Sequence, residues 1–293
     1  MVDVQANNEE ILDFDKEWDY SNPEATEEKF CEFLKKSEDK PTSYVLQLKT
    51  QIARTLGLQR KFDEANQLLD EIQDQVQTFP LAHVRYLLER GRTLNSSKSG
   101  DRGKEVFLEA YELSAKNIFD NFTVDAAHML GIIEIPEKQI EWNEKALTIA
   151  KESNQPKAQN WQGSLLNNLG WTYHDIGNFE KALKLFEDAY DFRKKQGNQE
   201  TIMIAKWCIA RTHRSLQNYD KALEMQLELR ETNEKLGRKD GYVNEELGEL
   251  YLLKDEKDNS KNQFAKAYEL LSQDIWLANN EKERLDRMLE LSK

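Results

Sequence analysis

A small residue, glycine or alanine, recurs at a nearly constant interval through most of the 293-residue chain. Successive positions are separated by 38, 40, 39, 40 and 38 residues, at Ala53, Gly91, Gly131, Gly170, Ala210 and Gly248. A steady period of this kind is typical of repeat architectures, in which one unit cannot bury its apolar residues without its neighbours. We therefore expect a stack of similar units.

The clearest repeat runs from Gly163 to Gln196 and reads GSLLNNLGWTYHDIGNFEKALKLFEDAYDFRKKQ. Gly177 and Asn178 interrupt it in the middle, as expected at a tight turn. Small and apolar residues follow helical spacing on both sides of that turn: Leu166, Leu169, Gly170 and Tyr173 before it, and Ala182, Phe186 and Ala189 after it. The stretch predicts two antiparallel helices whose small residues let the backbones approach closely.

This stretch resembles the tetratricopeptide repeat, whose order of an aromatic residue or Leu, then Leu-Gly, Tyr, Ala, Phe and Ala it matches except at the final Pro. The resemblance implies an all-α fold, a right-handed superhelical solenoid of about six helix-turn-helix repeats with capping helices at both ends. The period exceeds the usual length of about 34 residues, so the extra residues belong to longer helices or loops. Residues 22–293 look like bacterial tetratricopeptide-repeat proteins of unassigned function, and the resemblance brings no particular activity.

The pattern divides the chain into an acidic N-terminal segment, a helical array and a cap at each end. The N-terminal segment covers residues 1–21. Its second half is too apolar for a free tail and is expected to dock on the rest of the chain; its apolar residues are Ile11, Leu12, Phe14, Trp18 and Tyr20. Capping helices are expected over residues 22–40, where Asn22-Pro23-Glu24 is typical of a helix start, and over residues 279–293. The array covers 42–275, with repeats at about 44–79, 82–117, 123–154, 163–196, 201–236 and 241–274 and a turn from Asn95 to Asp101.

Composition narrows the classes of function. The formal net charge of −13 argues against a general nucleic-acid binder, which needs a surplus of Lys and Arg. No apolar run is long enough for a membrane span, and the acidic start lacks the features of a signal peptide, so we expect a cytoplasmic protein. Cys31 and Cys208 have no metal-type spacing, and we expect buried thiols there instead of a disulfide or a zinc site.

The free side of the first helices is the expected binding surface, because in arrays of this family the first helix of each pair lines the concave face. Reading that side at helical spacing gives a candidate peptide-binding groove of Arg54, Arg85, Arg92, Asn95, His128, Asn167, Trp171, His174, Trp207, Arg211, Arg214, Tyr242 and Glu245. The resemblance adds Asn168 to this groove. All its cations are Arg, which pairs with carboxylates or stacks on rings, and Trp offers a large contact area. We expect a locally positive, aromatic-lined groove.

Several of these residues also admit a structural interpretation. The Arg side chains could pair with neighbouring Asp and Glu across repeats, and the Trp side chains could pack between repeats. Asn168 stands just before Leu169-Gly170, where peptide-binding members of the family often carry an Asn that holds the ligand's backbone; alternatively, its amide is satisfied inside the chain. Thr50 and Arg54 stand where the family's carboxylate clamp needs Lys and Asn, so binding of a free C-terminal carboxylate is not expected.

Two functions of different class follow. The first is a protein–protein interaction scaffold whose groove binds a peptide or helix of a partner protein, acidic and with aromatic or apolar anchors. The alternative is a structural, self-assembling helical array with no groove ligand, and the oligomeric state stays open.

An enzyme is not expected, and neither is a cofactor. A metal site made of Asp125, His128 and His174 is conceivable, which leaves a metal-dependent enzyme as a remote alternative. The sequence contains no Gly-rich phosphate loop, no Ser elbow and no thiol with a nearby His. The expected partner is therefore a protein or peptide, not nucleic acid or a membrane.

Overall fold

The computed structural model describes residues 12–96 and 100–293, and every regular element in those ranges is a helix. The expectation that Ile11 docks lies outside the described residues, as does most of the turn expected after Asn95. The chain divides into two compact units, one ending at Trp161 and the other beginning at Gln162, which we call the N-terminal unit and the C-terminal unit. The all-α repeat fold predicted from the sequence is confirmed.

In the described part of the N-terminal unit, a 3-10 turn at Phe14–Glu17 precedes a series of α-helices. The helices are α1 (Pro23–Lys35), α2 (Thr42–Leu58), α3 (Phe62–Val76), α4 (Pro80–Ser96), α5 (Gly100–Lys116), α6 (Asp120–Ile133), α7 (Pro136–Glu152) and α8 (Pro156–Gln159). Helices α2 and α3, α4 and α5, and α6 and α7 pack as pairs, and the first helices α2, α4 and α6 contact one another in that order.

The C-terminal unit has three helix pairs and a two-helix cap. Its helices are α9 (Gln162–Asp175), α10 (Phe179–Gln196), α11 (Gln199–Ser215), α12 (Tyr219–Lys235), α13 (Gly241–Leu253), α14 (Lys257–Leu271), α15 (Ile275–Asn280) and α16 (Lys282–Leu291). Helix α16 packs on α14, where Leu285 and Met288 join a cluster around Phe264.

Close helix contacts explain the period of small residues. In the pair α4–α5, a Cβ at position 91 would lie 2.5 Å from Cε1 of Phe107, whose side chain is fully buried. Only glycine leaves room for the ring at this contact, because buried aromatic rings have no free space to move into. The same relationship recurs between Gly170 and Phe186 and between Gly248 and Phe264.

The pair α6–α7 departs from this scheme. Gly131 faces the Asn143 side chain, which lies 12 positions later instead of the 16 that separate glycine and phenylalanine in the other pairs. Helix α6 ends only two residues after Gly131, whereas α4, α9 and α13 continue for five residues after their glycine, and only Glu134 and Ile135 separate α6 from α7. Asn143 is the eighth residue of α7, as the phenylalanine is of the second helix in the other pairs, so the shorter spacing comes from the early end of α6 and the short connection.

Two element boundaries differ from the sequence-based expectation. Asn95 belongs to the last turn of α4, which continues to Ser96, so it is not part of a turn. At the C-terminal end, the capping helix expected over residues 279–293 corresponds to α16, and a second, short helix, α15, precedes it. Asp274 caps α15 by accepting hydrogen bonds from the backbone N–H groups of Trp276 and Leu277, and Glu281 at φ −128° separates the two helices.

Candidate ligand-binding faces

The side chains on the exposed side of consecutive first helices form one surface in each unit. We call the surface on α2, α4 and α6 the N-terminal face, and the surface on α9, α11 and α13 the C-terminal face. Five of the sequence-predicted groove residues lie in the N-terminal unit and nine lie in the C-terminal unit.

A chain of alternating charges crosses the N-terminal face. Arg92 of α4 donates to Glu89 over 2.7 Å and also pairs with Asp125 of α6. Arg54 of α2 lies 3.7 Å from the same Glu89, whose side chain is only 6% exposed. The three helices α2, α4 and α6 are thus linked through side chains that sequence spacing had assigned to a ligand.

Arg85 of α4 is held by the N-terminal segment. Its Nη2 donates to Oδ2 of Asp15 over 2.6 Å, and Lys157 of α8 lies 3.0 Å from the same oxygen. The Arg85 guanidinium also lies over two rings, 5.3 Å from the centroid of Phe14 and 5.0 Å from that of Phe122. Burial alone would raise the pKa of the Asp15 carboxyl, but Arg85 and then Lys157 hold it below its ordinary value.

Phe14 and Trp18 anchor this segment next to the face. Phe14 is 5% exposed, with its ring centroid 6.1 Å from Phe30 and 5.3 Å from Tyr44. The indole N–H of Trp18 donates to Gln51 of α2 over 3.2 Å. A cavity of about 420 Å³ remains, bordered by Asp15, Trp18, Tyr20, Gln51, Arg54, Arg85, Leu88, Glu89, Arg92, Asn121, Phe122, Asp125, Lys157 and Trp161.

The other two candidates of the N-terminal unit have structural surroundings. The His128 ring lies 5.1 Å from the Trp161 ring, and burial lowers its pKa although Asp125 opposes that effect. The backbone of Asn95 packs against Gly103 of α5, and Asn95 does not border the 420 Å³ cavity. Neither residue supports the predicted groove directly.

A row of aromatic side chains runs along the C-terminal face, with one from each first helix. The centroids of Trp171 and Trp207 are 6.0 Å apart, and those of Trp207 and Tyr242 are 6.3 Å apart. Trp171 also lies 5.1 Å from Phe186 within a buried cluster, so the packing interpretation applies to this residue. Tyr242, at the other end of the row, is 39% exposed.

A cavity of about 410 Å³ opens beside Trp207, between α11, the end of α12 and the start of α13. We call it the Trp207 cavity. Its apolar wall includes Ile204, which is 52% exposed, and its polar rim lies mainly on the connection between α12 and α13. The lining residues are Glu200, Met203, Ile204, Trp207, Leu229, Asn233, Arg238, Lys239, Asp240, Tyr242 and Val243.

Charged side chains of the C-terminal face are paired with one another. Arg214 donates two hydrogen bonds to Glu246 of α13, at 2.7 and 2.9 Å, and Arg211 lies 3.0 Å from the same carboxylate. Glu245 accepts hydrogen bonds at 2.7 and 2.5 Å from Arg284 of the cap helix α16. Burial lowers the pKa of Arg211, with Glu246 opposing that shift.

Each of the five groove arginines thus pairs with a carboxylate of the chain itself, so the positive charge expected of the groove is partly compensated. Ion pairing across repeats was the alternative interpretation, and the structure shows it for Arg54, Arg92, Arg211 and Arg214, whereas Arg85 pairs with Asp15 of the N-terminal segment. Helical spacing placed the arginines on first helices, but it could not identify which acid each of them meets. For Arg85, the run DFDKEWDY at residues 13–20 was a visible signal of an acidic partner.

Asn167, Asn168 and His174 also have contacts inside the unit. The Asn167 carbonyl oxygen lies 3.4 Å from the Cys208 thiol, and the Asn168 backbone carbonyl accepts a hydrogen bond from Thr172. Nε2 of His174 lies 2.9 Å from the Ser215 hydroxyl. Burial, followed by the positive charge of Arg211, lowers the pKa of His174, so a neutral ring is favoured.

Two other expectations concern metal ions and membranes. In the ranges 12–96 and 100–293, no group of three or more His, Cys, Asp or Glu side chains is arranged to hold a metal ion. None of the helices that the structure describes combines the length and apolar character that a membrane crossing requires.

Comparison with known proteins gives a family match and a set of similar folds. The family model described as Tetratricopeptide repeat matches residues 137–195, which run from α7 to α10. No curated protein sequence matches the chain.

Several solved structures have a similar fold at low sequence identity. A signal transduction ATPase with a tetratricopeptide repeat sensor from Pyrococcus horikoshii has a TM-score of 0.71 and 17% identity, covering 92% of this chain and 42% of that one. The apo form of RapI has a TM-score of 0.69 and 14% identity, covering 87% and 73%. NprR in complex with its cognate peptide NprX has a TM-score of 0.56 and 15% identity, covering 95% and 81%.

Proposed function

Because the chain carries tetratricopeptide repeats and has their all-α fold, we propose that it is a protein-interaction scaffold whose C-terminal face binds a segment of a partner protein. An aromatic or long apolar side chain of that segment enters the Trp207 cavity. The observation that carries this proposal is the row Trp171, Trp207 and Tyr242, which ends at a cavity with an exposed apolar edge.

Exposed apolar side chains at the mouth of a cavity favour a binding role. Ile204 and Tyr242 are 52% and 39% exposed, and both border the Trp207 cavity. Clustered exposed apolar groups with a polar rim are typical of interaction sites, and large aromatic side chains in pockets supply most of the binding energy at such sites. The cavity volume of about 410 Å³ lies within the range of ligand pockets in proteins.

The rim adds a preference for a nearby acid on the ligand. Arg238 and Lys239 border the cavity and have no ion-pair partner among the described residues. Asp240 is engaged by the backbone N–H groups of Tyr242 and Val243, which it caps. An acidic residue next to the anchor would pair with Arg238 or Lys239, whereas Arg211 and Arg214 already bind Glu246.

A related fold supports the class of ligand. NprR, whose fold is similar to that of this chain, has been solved in complex with its cognate peptide NprX. That complex supports a peptide or peptide-like segment as the ligand of this chain. The residues of the Trp207 cavity define the chemistry of that ligand.

Photo-crosslinking tests this proposal. A photoreactive phenylalanine analogue at position 204 should crosslink to a partner in an extract of the native host, at an aromatic or long apolar residue identified by mass spectrometry. The matched control is position 176, another isoleucine of the same unit with 51% exposure that lies outside the cavity lining. Equal crosslinking from both positions, or attachment at 204 to a polar and variable set of residues, would contradict the proposal.

The self-assembling alternative also has an observation in its favour. Ile275 and Trp276, at the start of α15, are 79% and 58% exposed. If end surfaces drive assembly, sedimentation should show an oligomer that the double substitution Ile275→Ser and Trp276→Ser converts to monomer. A concentration-independent monomer before substitution would exclude this alternative.

A further inference from the structure

We propose that the N-terminal face is a second binding site, for a partner segment in which an acid is flanked by aromatic residues, and that residues 13–20 of this chain occupy it as an internal ligand. The partner segment displaces the internal one by offering the same groups. The N-terminal face and the Trp207 cavity are different surfaces, so a test can disprove binding at one of them without affecting the proposal for the other.

Charge supports an acidic occupant. Seven charged side chains border the cavity of the N-terminal face, four of them cations and three of them carboxylates: Arg54, Arg85, Arg92 and Lys157, and Asp15, Glu89 and Asp125. Glu89 and Asp125 belong to the helices of the face, whereas Asp15 comes from the segment. Without Asp15, four cations would face two carboxylates, so the face on its own attracts one further acid.

Arg85 is the centre of this recognition. Its side chain is 9% exposed, and it holds Asp15 at 2.6 Å while its guanidinium lies near the rings of Phe14 and Phe122. The Arg85 Nε is buried and has no hydrogen-bond partner among the described residues. Arg85 can therefore bind both an acid and an adjacent aromatic ring of a ligand, and its Nε–H group can donate one further hydrogen bond.

The segment is attached through a small number of separable contacts. Phe14 is buried, Asp15 is bound by Arg85 and Lys157, and the Trp18 indole donates to Gln51. Leu12 and Tyr20, near its two ends, are 43% and 66% exposed. A competing segment needs to supply one ring for the Phe14 position, one carboxylate for Arg85 and one further aromatic group.

Residues 19–22 attach the segment to α1 and so keep it close to the N-terminal face. Thr26 of α1 accepts a hydrogen bond from the Asp19 backbone N–H and donates to the Asp19 carbonyl, and Asn22 caps α1 three residues after Asp19. A tethered ligand acts at an effective concentration of roughly millimolar, so an added ligand binds weakly until the tethered one is released.

Charge reversal in the segment tests the proposal in the full chain. The probe is a fluorescent peptide with the sequence of residues 12–21, LDFDKEWDYS, and its binding is followed by anisotropy. The variant Asp15→Arg should bind the probe at least about tenfold more tightly than the unaltered chain, since a like charge beside Arg85 releases the segment. The matched control Glu28→Arg makes a charge reversal of the same size at an exposed acid of α1, outside the segment, and should bind the probe like the unaltered chain.

Hydrogen exchange and a second probe complete the test. In Asp15→Arg, the Asp19 amide should exchange faster than in Glu28→Arg, and a probe with Asp15→Asn should bind at least about tenfold more weakly than the original probe. Asp15→Asn in the full chain should also raise the affinity for the original probe, by a smaller factor. This variant replaces Asp15→Arg in the test if Asp15→Arg does not fold. Probe affinity that is the same for Asp15→Arg and the unaltered chain, or that does not depend on the probe's acid, overturns the proposal.

Discussion

Gly170 of α9 lies so close to Phe186 of α10 that a Cβ at position 170 would sit 2.7 Å from Cδ1 of the ring. The ring is fully buried, so it cannot move aside without disturbing its neighbours. Glycine and phenylalanine keep the same separation of 16 positions in the pairs Gly91–Phe107 and Gly248–Phe264. In these three pairs, the glycine that recurs along the sequence contacts a phenylalanine of the second helix, and this contact determines how closely the two helices pack.

The first prediction compares two helical glycines. Gly170→Ala should lower the free energy of unfolding by about 1–3 kcal/mol because the added methyl group overpacks the contact with Phe186. Gly57→Ala, in the last turn of α2, should leave stability unchanged or raise it by up to about 1 kcal/mol, since nothing lies within 4 Å of its added Cβ. Urea denaturation measures both, and equal effects would show that the ring contact is not restrictive.

The second prediction concerns the arginines of the C-terminal face. Arg214→Ala should destabilise the chain by about 1–3 kcal/mol, because the Glu246 side chain, 5% exposed, loses two hydrogen bonds. Combining it with Glu246→Gln should restore part of the loss, which a double-mutant cycle detects. The control is Arg230→Ala, whose 3.9 Å pair with Glu234 is more exposed and should be worth less than about 1 kcal/mol. If Arg214→Ala is as stable as the unaltered chain, the pair with Glu246 does not stabilise the fold, and Arg214 is again a candidate for binding a ligand.

The glycine–phenylalanine contacts could be predicted from the sequence, whereas the partners of the arginines could not. The Gly-to-Phe spacing lies within one repeat, so the pattern that identifies helix pairs is local and visible in the sequence. Arg214 and Glu246 are 32 positions apart, and Arg85 and Asp15 are 70 apart. Spacing alone could place the arginines on first helices, but many acids lie at similar distances along the chain. The choice among them depends on side-chain directions that only the packed structure defines.

The third prediction concerns acid and the N-terminal segment. The pKa of Asp15 is lowered from its ordinary value of 3.8 by Arg85 and Lys157 against the effect of burial. Its ionised form therefore stabilises the folded state at pH values above 3.8, and this contribution disappears as the pH falls through the lower folded-state pKa. The stability difference between the unaltered chain and Asp15→Asn should be constant near neutral pH and shrink below about pH 4. A difference that grows on acidification would contradict the assignment.

The fourth prediction concerns the two thiols. Cys208 is 2% exposed, and burial raises the pKa of its thiol to about 12, whereas Cys31 is partly exposed. Since the thiolate is the reactive form, a disulfide reagent at pH 8 should modify Cys31 first and Cys208 only after unfolding. Mass spectrometry of partly labelled protein gives the order, and early labelling of Cys208 would show that α11 opens in the folded state.

If the Trp207 cavity receives an apolar anchor of a partner segment, a negative charge at its edge should weaken binding of that segment. The direct measurement is the affinity of the crosslinked partner segment, as a synthetic peptide, for the unaltered chain, Ile204→Glu and Ile176→Glu. Both positions are exposed isoleucines, so each substitution should change stability by no more than about 0.5 kcal/mol. We expect Ile204→Glu to weaken binding by at least about tenfold, a loss of about 1.4 kcal/mol, and Ile176→Glu to bind like the unaltered chain. Equal affinity of all three chains, or equal losses in both variants, would contradict it.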